Sequence, residues 1–421
     1  MCTRIATALM ILTVSARAAD TTEALTWSNC LREAALRNPA LQASREALVQ
    51  ARASARSTAG SLQPTLSGSL GAGYGESRSD GQTSGNDSWS ADLSSSYTIY
   101  DGGANRARVE SAKWRVRKSE LTLGSEAARL GADLSRAFTR LAFAQQQVVL
   151  LENISERRGQ NRDLVQLRYE GGKENLGSAL RSRAVYGQAL QDATSALRSL
   201  AVAQRELAVA LGRPVSDELL ADGFAPAAEV ATQPDFEALA RMVPEVRQAE
   251  ADLILARSDV IVARSAFRPE WSANLSAGRS GDDPGMENSS WRAGLGVSYP
   301  FYRGRRDTYD LAAAQSAERE AALRLEQQRQ AAHLDLQQAW SEASDAGEQQ
   351  AVQRAFLEAA EVRAEIARAQ YASGLIGFQD WDQIEDEIIN ARKALLASQR
   401  DATLAAAAWL QAQGLSPLEV P

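Results

Sequence analysis

The sequence is organised around a short alternating segment that runs directly into a very long helical one. In residues 89–99 the apolar side chains occupy every second position except Ser95, and polar residues fill the positions between them. This period of two predicts a strand with one apolar and one polar face. Asp101-Gly102-Gly103 ends the alternation, and a helical pattern rich in Ala, Arg and Leu follows without proline over residues 103–169. A helix of that length spans about 100 Å, far more than an ordinary globular domain accommodates.

The same order of segments returns in the second half of the chain. Residues 291–299 alternate in the same way, and a second long helical pattern follows over 305–371. Matching residues lie 205 or 202 positions apart: Pro39 with Pro244, Pro64 with Pro269, Gly102 with Gly304, Tyr169 with Tyr371, Gly172 with Gly374 and Gly212 with Gly414. General similarity between alanine-rich helices does not explain matched prolines and glycines. The sequence therefore predicts two internal repeats, residues 19–212 and 236–421, joined by a connector at 213–235.

Each repeat is predicted to contain a helix, two strands, a long helix, a tight turn and a return helix. We expect strands at about 65–75, 88–100, 270–279 and 290–300, long helices at 103–169 and 305–371, and return helices at 176–211 and 379–413. One helix from about Leu25 to Gly60 precedes the first strand, and a polar loop at 75–88 follows it. Steps of three and four in the first return helix predict a buried seam with one polar member: Leu190, Ala193, Leu197, Leu200, Gln204, Leu207 and Leu211.

The N-terminus and the composition limit where the chain is located and what it binds. Arg4, an apolar run over residues 5–14 and a small-residue cleavage site at 16–18 predict a secretory signal peptide over residues 1–18. The formal charge of −7 argues against a nucleic-acid partner. Only Cys30 follows the signal peptide, so we expect no disulfide in the mature chain and a small buried apolar role for this thiol.

The four predicted strands have the length that a tilted strand needs to cross a bilayer. Beyond the signal no run of eighteen apolar residues supports a transmembrane helix, so insertion into a membrane requires a closed β-barrel. Four strands do not close a barrel, which predicts that several copies share their strands. Aromatic residues near the long helices are expected at the membrane interface: Tyr97, Tyr100, Tyr299, Phe301 and Tyr302. The same alternation also suits a soluble sandwich of two sheets.

Together these motifs resemble the TolC-like outer-membrane efflux and secretion channels over nearly the whole mature chain. The resemblance rests on NPAL at 38–41, LQP at 62–64, YTIYDGG at 97–103, and YASGL at 371–375 followed by Asp380. It implies a mainly α fold with a small β part: a homotrimer in the outer membrane, whose twelve-stranded β-barrel is continued by a periplasmic coiled-coil cylinder of twelve helices. It also implies a periplasmic adaptor and an inner-membrane pump as partners. The implied function is passive export, in a tripartite efflux pump or a type I secretion system.

The resemblance places the periplasmic aperture and the adaptor-docking surface at the two helix turns. The candidate residues there are Arg168, Tyr169, Gly171, Gly172, Lys173, Arg181, Arg183, Tyr371, Gly374, Leu375, Asp380, Asp382, Glu385 and Asp386. The first turn departs from the family, with Lys173 in place of a leucine and Ser178 in place of the aspartate, and Ile376 stands where some members carry a basic residue. From their charges we expect basic first hairpins and acidic second hairpins to pair around the ring; ordinary solvated helix faces would give the same pattern.

No catalytic motif accompanies these features. One histidine, His333, and one mature cysteine leave little for catalysis or for metal binding. We therefore expect no enzyme activity, no cofactor and no metal site. The alternative interpretations are an exported coiled-coil rod protein without a pore and, less consistent with the sequence, an exported enzyme.

Overall fold

A computed structural model of the chain describes residues 24–79, 82–214, 218–226 and 233–418. The predicted signal peptide and parts of the predicted connector lie outside these residues. The elements are α1 (Trp27–Arg37), α2 (Pro39–Ala59), β1 (Thr65–Ser79), β2 (Gln82–Tyr100), α3 (Ala104–Glu170), α4 (Leu176–Leu211), α5 (Phe236–Ala240), α6 (Pro244–Ser265), β3 (Glu270–Gly281), β4 (Asn288–Ser298), α7 (Arg306–Ser373) and α8 (Phe378–Ala412). The chain is mainly helical with one small sheet, as the sequence predicts.

The longest helices are α3 with 67 residues and α7 with 68 residues, each about 100 Å long. α3 packs along α4, and α7 packs along α8, so that each half contributes one long helical hairpin. α6 lies against both α3 and α7, while α3 also contacts α8, which joins the two hairpins. None of the described helices is both long and apolar enough to cross a bilayer.

The helix expected from about Leu25 to Gly60 is in fact two helices, and the prediction of one continuous helix was wrong. Asn38 separates them with an extended ψ of 121°, because the ring of Pro39 disfavours the helical conformation for the residue before it. The Asn38 side chain then caps α2 by accepting hydrogen bonds from the backbone N–H groups of Ala40 and Leu41, at 3.0 and 3.3 Å. Its amide nitrogen donates to the carbonyl oxygen of Ala210 at 3.0 Å, which fixes the break against α4.

The polar loop expected at 75–88 was also wrong, since most of this segment is strand. β1 continues to Ser79, β2 begins at Gln82, and the ladder pairs Tyr74 with Asp87 and Gly75 with Asn86. Backbone N–H and C=O groups make the ladder, so polar side chains that remain in solvent do not oppose it. The turn-forming residues of the segment therefore do not mark where the strands end.

All four strands form one antiparallel sheet in the order β1-β2-β3-β4. The register places the apolar positions of each strand opposite the apolar positions of its neighbours, for example Leu93 opposite Ala277 and Ala273 opposite Leu295. One face is consequently apolar and also exposed in the single chain: Leu66, Leu70, Tyr74, Trp89, Leu93, Tyr97, Trp271, Leu275, Trp291, Leu295 and Val297. The opposite face carries mostly Ser and Gly, together with Asp92 and Arg292.

A bulge near the end of β2 changes the side on which its last residue lies. The ladder pairs Thr98 with Ser272 and then Tyr100 with Trp271, so Ile99 is an extra residue in this strand. A bulge of this kind shifts the alternation by one position. Tyr100 therefore lies on the apolar face with Trp271, although a strict period of two places it on the polar face.

The seam predicted for α4 is fully buried only at its C-terminal end, while Ala193 and Leu200 are partly buried against a core. Leu207 and Leu211 are fully buried, but Leu190 and Leu197 are 44 % and 50 % exposed. The residues one position earlier, Ala189 and Ala196, are buried instead, as is Ala203. Small alanines at steps of seven bring α4 close to α3, and the larger leucines are left on the outer surface of the single chain.

The first core lies where α1, α2, α3 and α4 meet, around Phe138, Leu134 and Leu207. Cys30 belongs to this core and is fully buried, which confirms its predicted apolar role; burial raises the pKa of its thiol to about 11. A second core surrounds Leu336 between α5, α6, α7 and α8. The C-terminal segment ties the second half to the first core, because the Ser416 hydroxyl donates to the carbonyl of Ala127 at 2.8 Å.

Candidate functional site

The turn between α3 and α4 is closed by backbone hydrogen bonds and a left-handed glycine. Gly172 has a φ of +69°, a conformation that glycine adopts without steric penalty. This lets the N–H of Lys173 donate to the carbonyl of Arg168 at 2.8 Å, which satisfies one of the last carbonyls of α3. Asn175 begins α4, and its side-chain oxygen accepts from the N–H of Ser178 at 2.9 Å.

The turn between α7 and α8 is built in the same way. Gly374 ends α7 with a φ of +80°, and the N–H of Leu375 donates to the carbonyl of Gln370 at 2.8 Å. α8 begins at Phe378 after Gly377, which has no side chain to cap the helix. Leu375 projects from the tip and is 77 % exposed. Both predicted hairpin ends therefore exist, and each ends in a short turn closed by a backbone hydrogen bond.

An aromatic cluster lies directly behind the two tips and joins them. The rings of Tyr371 and Trp381 are stacked at 4.3 Å with an interplanar angle of 5°, and Phe378 contacts Trp381 edge-on at 6.3 Å. Val165 of α3 and Ala179 of α4 complete the buried cluster. Residues from both hairpins thus share one small core at this end of the molecule.

Tyr371 links the two hairpins through polar contacts as well. Arg168 donates to the backbone carbonyl of Tyr371 at 3.0 Å, and its guanidinium lies over the tyrosine ring at 4.5 Å. The Tyr371 hydroxyl donates to the carboxylate of Glu174 at 3.2 Å. Burial, assisted by the adjacent Glu174 carboxylate, raises the pKa of Tyr371 to about 12, so the hydroxyl stays protonated and remains a donor at neutral pH.

Glu385 of α8 is completely buried and is held by side chains of the other hairpin. Arg157 of α3 donates to its two oxygens at 2.6 and 2.7 Å, and Asn161 donates to one of them at 3.3 Å. Arg368 of α7 lies 3.7 Å away. Burial by itself raises the pKa of a carboxyl group, but Arg157, Asn161 and Arg368 together outweigh it and lower the pKa of Glu385 below its usual value.

A second group of ion pairs lies beside Glu385 on the same helix. Arg158 of α3 is buried and contacts both Asp382, at 3.4 Å, and Asp386. Arg181 of α4 donates to Asp382 at 2.6 Å. Asp382 is buried, whereas Arg181 and Asp386 are partly exposed. The acidic side of α8 is therefore matched by arginines from both helices of the first hairpin.

The structure thus places six residues of the predicted set in three separate groups of polar contacts at the hairpin ends: Arg168 with Tyr371, Arg181 with Asp382 and Asp386, and Glu385 with Arg157. Tyr169, Gly171, Lys173, Arg183 and Asp380 are exposed and make no ion pair within the described chain. Arg181 pairs with Asp382 and Asp386 inside one chain, and the pairing of hairpins around the ring stays a prediction.

Sequence reasoning missed seven participants, namely Arg157, Arg158, Asn161, Glu174, Arg368, Phe378 and Trp381. The first three lie about three turns before the end of α3, outside the segment treated as the hairpin. Counting equal distances from the two tips would not have found them, because Arg157 lies much further from the end of α3 than Glu385 lies from the start of α8. Within the described ranges no three His, Cys, Asp or Glu side chains come together as metal ligands.

The predicted interface aromatics gather at the other end of the long helices, where the sheet begins. Tyr97 and Tyr100 lie near the end of β2, and Tyr299, Phe301 and Tyr302 lie between β4 and α7. Tyr299 and Phe301 contact each other edge-on at 5.1 Å. All five rings are exposed, up to 92 % for Phe301.

Solved outer-membrane channels share this fold. The chain is similar to CusC, with a TM-score of 0.84 and 19 % identity over 92 % of each chain. It is similar to VceC from Vibrio cholerae, with a TM-score of 0.82 and 19 % identity over 92 % of this chain and 96 % of VceC. It is also similar to the open MtrE channel of Neisseria gonorrhoeae, with a TM-score of 0.81 and 20 % identity over 93 % of this chain and 89 % of MtrE.

One curated relative matches by sequence, the probable outer membrane lipoprotein SilC of Salmonella typhimurium. It is 24 % identical over 164 residues, which are 37 % of this chain and 33 % of SilC, so this match spans about a third of the relative's length. The model of the outer membrane efflux protein family matches residues 30–213 and 237–415, which include the long helices, the sheet and both hairpin ends. The chain therefore belongs to the outer membrane efflux protein family, a family of outer-membrane channels and not of enzymes.

Proposed function

We propose that three copies of the chain form a passive export duct, which receives substrate from an inner-membrane transporter and a periplasmic adaptor and releases it outside the cell. The observation that carries this proposal is the four-stranded sheet. Its apolar face is exposed, and β1 and β4 each have one edge without a partner strand in the described chain. In lipid such an edge leaves backbone groups unsatisfied, so copies of the sheet pair edge to edge. The number three, and hence twelve strands, follows from the resemblance to TolC-like channels.

The helical part supports the same assembly. Both halves contain a helix, two strands, a long helix and a return helix in the same order, and we propose that they are internal repeats. Large apolar side chains on the long hairpins remain uncovered in one chain, among them Leu190, Leu197 and Phe356. Contact between copies would cover such surfaces, and twelve long helices would then continue the barrel as a hollow periplasmic cylinder.

We further propose that the network at the hairpin ends holds the periplasmic aperture closed. Arg157 with Glu385, Arg158 with Asp382, and Arg168 with Tyr371 all join the second hairpin to the first. Opening the aperture by moving the second hairpin outward or inward breaks these contacts together. The partly exposed pairs contribute about 0.2–1 kcal/mol each, whereas removal of one partner of the buried Glu385 pair leaves the other charge uncompensated and costs more. A few kcal/mol between two states is a difference that adaptor docking can reverse.

The exposed tips are the proposed adaptor-docking surface. Leu375 and Lys173 project from the two turns without contacts that bury them. Each tip is a short turn closed by a backbone hydrogen bond, and an exposed apolar or charged side chain on such a turn is available to a partner.

The proposal is tested by purification and electrical recording. We expect the protein to be extracted only with detergent, to have the mass of a trimer, and to give discrete conductance steps in planar bilayers. A soluble single chain that is stable without detergent would overturn it. Expression in a strain that lacks its own channel, followed by assays of drug resistance and of protein secretion, then distinguishes the efflux pump from the secretion system as the setting.

A further inference from the structure

The sheet-proximal ends of four helices carry a concentration of arginine that the export function does not explain. These ends are the segments 56–64, 101–108, 264–270 and 299–307, and together they contain eight arginines and only three acidic residues. The antiparallel register brings all four segments to the same end of the sheet, where the strands meet the helices. Tyr100 there pairs with Trp271, and Glu270 pairs with Ser298. A band of positive charge thus lies on a chain whose formal charge is −7. We call these eight residues the arginine band.

Half of the arginine band has no internal partner. Arg56, Arg106, Arg264 and Arg305 are exposed and make no ion pair or side-chain hydrogen bond within the described residues. Arg303 pairs with Asp307 and Arg306 pairs with Asp310, each at 3.5 Å; the second pair is largely exposed, and in the first the arginine is exposed while Asp307 is mostly buried. Exposed pairs of this kind exchange readily with other anions, because each contributes little.

Arg305 is informative because of its backbone. Its φ is +64°, in the left-handed region that favours glycine, while Gly103 stands at the equivalent place before α3 with a φ of +94°. A glycine at 305 would avoid the steric strain. The sequence nevertheless has an arginine here, between Arg303 and Arg306 and close to the exposed rings of Phe301 and Tyr302.

We propose that the arginine band binds the phosphate groups of anionic phospholipids in the periplasmic leaflet of the outer membrane. Three features support this ligand. The band adjoins the exposed aromatic residues, which lie at the level of lipid headgroups in the proposed orientation. Its charge is complementary to an anionic headgroup, and each basic side chain close to an anionic surface strengthens binding. Outer-leaflet lipids are excluded because they surround the opposite end of the strands. The inference rests on the proposed membrane orientation.

The test uses the full-length protein in a nonionic detergent doped with phosphatidylglycerol or with phosphatidylethanolamine, and counts bound lipids by native mass spectrometry. We expect the unmodified protein to retain phosphatidylglycerol preferentially, and less of it at high salt. The variant Arg303→Gln/Arg305→Gln/Arg306→Gln should lose about fivefold in apparent affinity for each arginine removed. The control Arg319→Gln/Arg324→Gln/Arg354→Gln changes three exposed arginines further along the same helix and should keep the preference.

A single substitution separates lipid binding from folding. Arg305→Gly relieves the left-handed strain, so the thermal midpoint should stay equal or rise while phosphatidylglycerol retention falls. Equal retention of the two lipids by the unmodified protein, or unchanged retention by the triple variant, would overturn the inference. If the protein gives trimers and conductance steps but no lipid preference, only this inference fails; if it gives neither trimers nor conductance, the proposed duct fails as well.

Discussion

Replacing Glu385 by glutamine removes a negative charge from a completely buried position between the two hairpins. The carboxylate accepts two hydrogen bonds from Arg157 and one from Asn161, with Arg368 at 3.7 Å. Removing one partner of a buried ion pair typically costs about 3–5 kcal/mol, because the other charge stays buried and uncompensated. The Arg157 side chain keeps 20 % of its surface exposed, so water solvates it in part and we expect the lower end, about 3 kcal/mol.

This loss should fall mainly on the closed arrangement of the hairpins, since the pair joins α3 to α8. A change of about 3 kcal/mol shifts an equilibrium by about a hundredfold. We therefore expect Glu385→Gln to increase open-state occupancy up to about a hundredfold in single-channel recordings. Glu387→Gln is the matched control: Glu387 pairs at 2.7 Å with Arg363 inside the second hairpin, and both side chains are about half exposed. Its expected cost is below about 1 kcal/mol, with unchanged conductance.

A double-mutant cycle shows whether the pair itself is responsible. In the proposed network Arg157→Gln and Glu385→Gln remove the same interaction, so their effects on thermal stability and on open probability should not add. Additive effects, or identical recordings for the Glu385 and Glu387 variants, would refute the reasoning, because they would show that Glu385 does not join the hairpins energetically.

Three further predictions concern pH, reactivity and packing. Because the pKa of Glu385 is lowered in the folded chain, its contribution to the free energy of unfolding is fully present above about pH 4.5 and is lost as the pH falls through the pKa of the folded state. In thermal melts the stability difference between the unmodified protein and Glu385→Gln should therefore shrink below about pH 4.5. Cys30 is fully buried and its pKa is about 11, so iodoacetamide at pH 8 should label it only after denaturation; rapid labelling of the native protein would contradict its place in the core. A Cβ at Gly131 would lie 2.5 Å from the Pro417 ring, whereas one at Gly124 meets open space. Gly131→Ala should therefore expose the C-terminal segment to proteolysis and lower the stability of the protein, while Gly124→Ala in the same helix should raise the stability by about 0.5–1 kcal/mol. Equal melting temperatures of the two variants would contradict the clash.

The strand parity and the turn glycines were predictable because each depends on nearby residues alone. An apolar residue at every second position is enough to assign the faces of β2 and β4. A glycine after a long helical pattern marks the place where a left-handed residue ends the helix, as Gly374 does. Neither inference requires knowledge of what lies on the other side of the element.

The wrong predictions concern places where the structure depends on a packing partner that the local sequence does not identify, or on the backbone preference of one residue. Asn38 lies within an otherwise helical pattern, yet the steric demand of Pro39 breaks the helix there. In α4 two heptad patterns one position apart are both apolar, one through Leu190 and the other through Ala189, so the sequence alone does not show which of them is buried. The close approach of α3 selects the alanine, and this distance is a property of the packed pair rather than of either sequence.

In the candidate site, too, the sequence shows which residues are charged but not which of them form pairs. The acids of α8 and the arginines of the first hairpin were visible as opposite charges, but charge alone does not tell a pair within one chain from a pair between copies. The packing of the helices answers this question, because α3 contacts α8 in the same chain. Residues about three turns before the end of α3 therefore contact Asp382 and Glu385 of their own chain. The internal pairs therefore organise the hairpin ends of each chain, and the exposed Lys173, Arg183 and Asp380 are the charges on which contacts around the ring would depend.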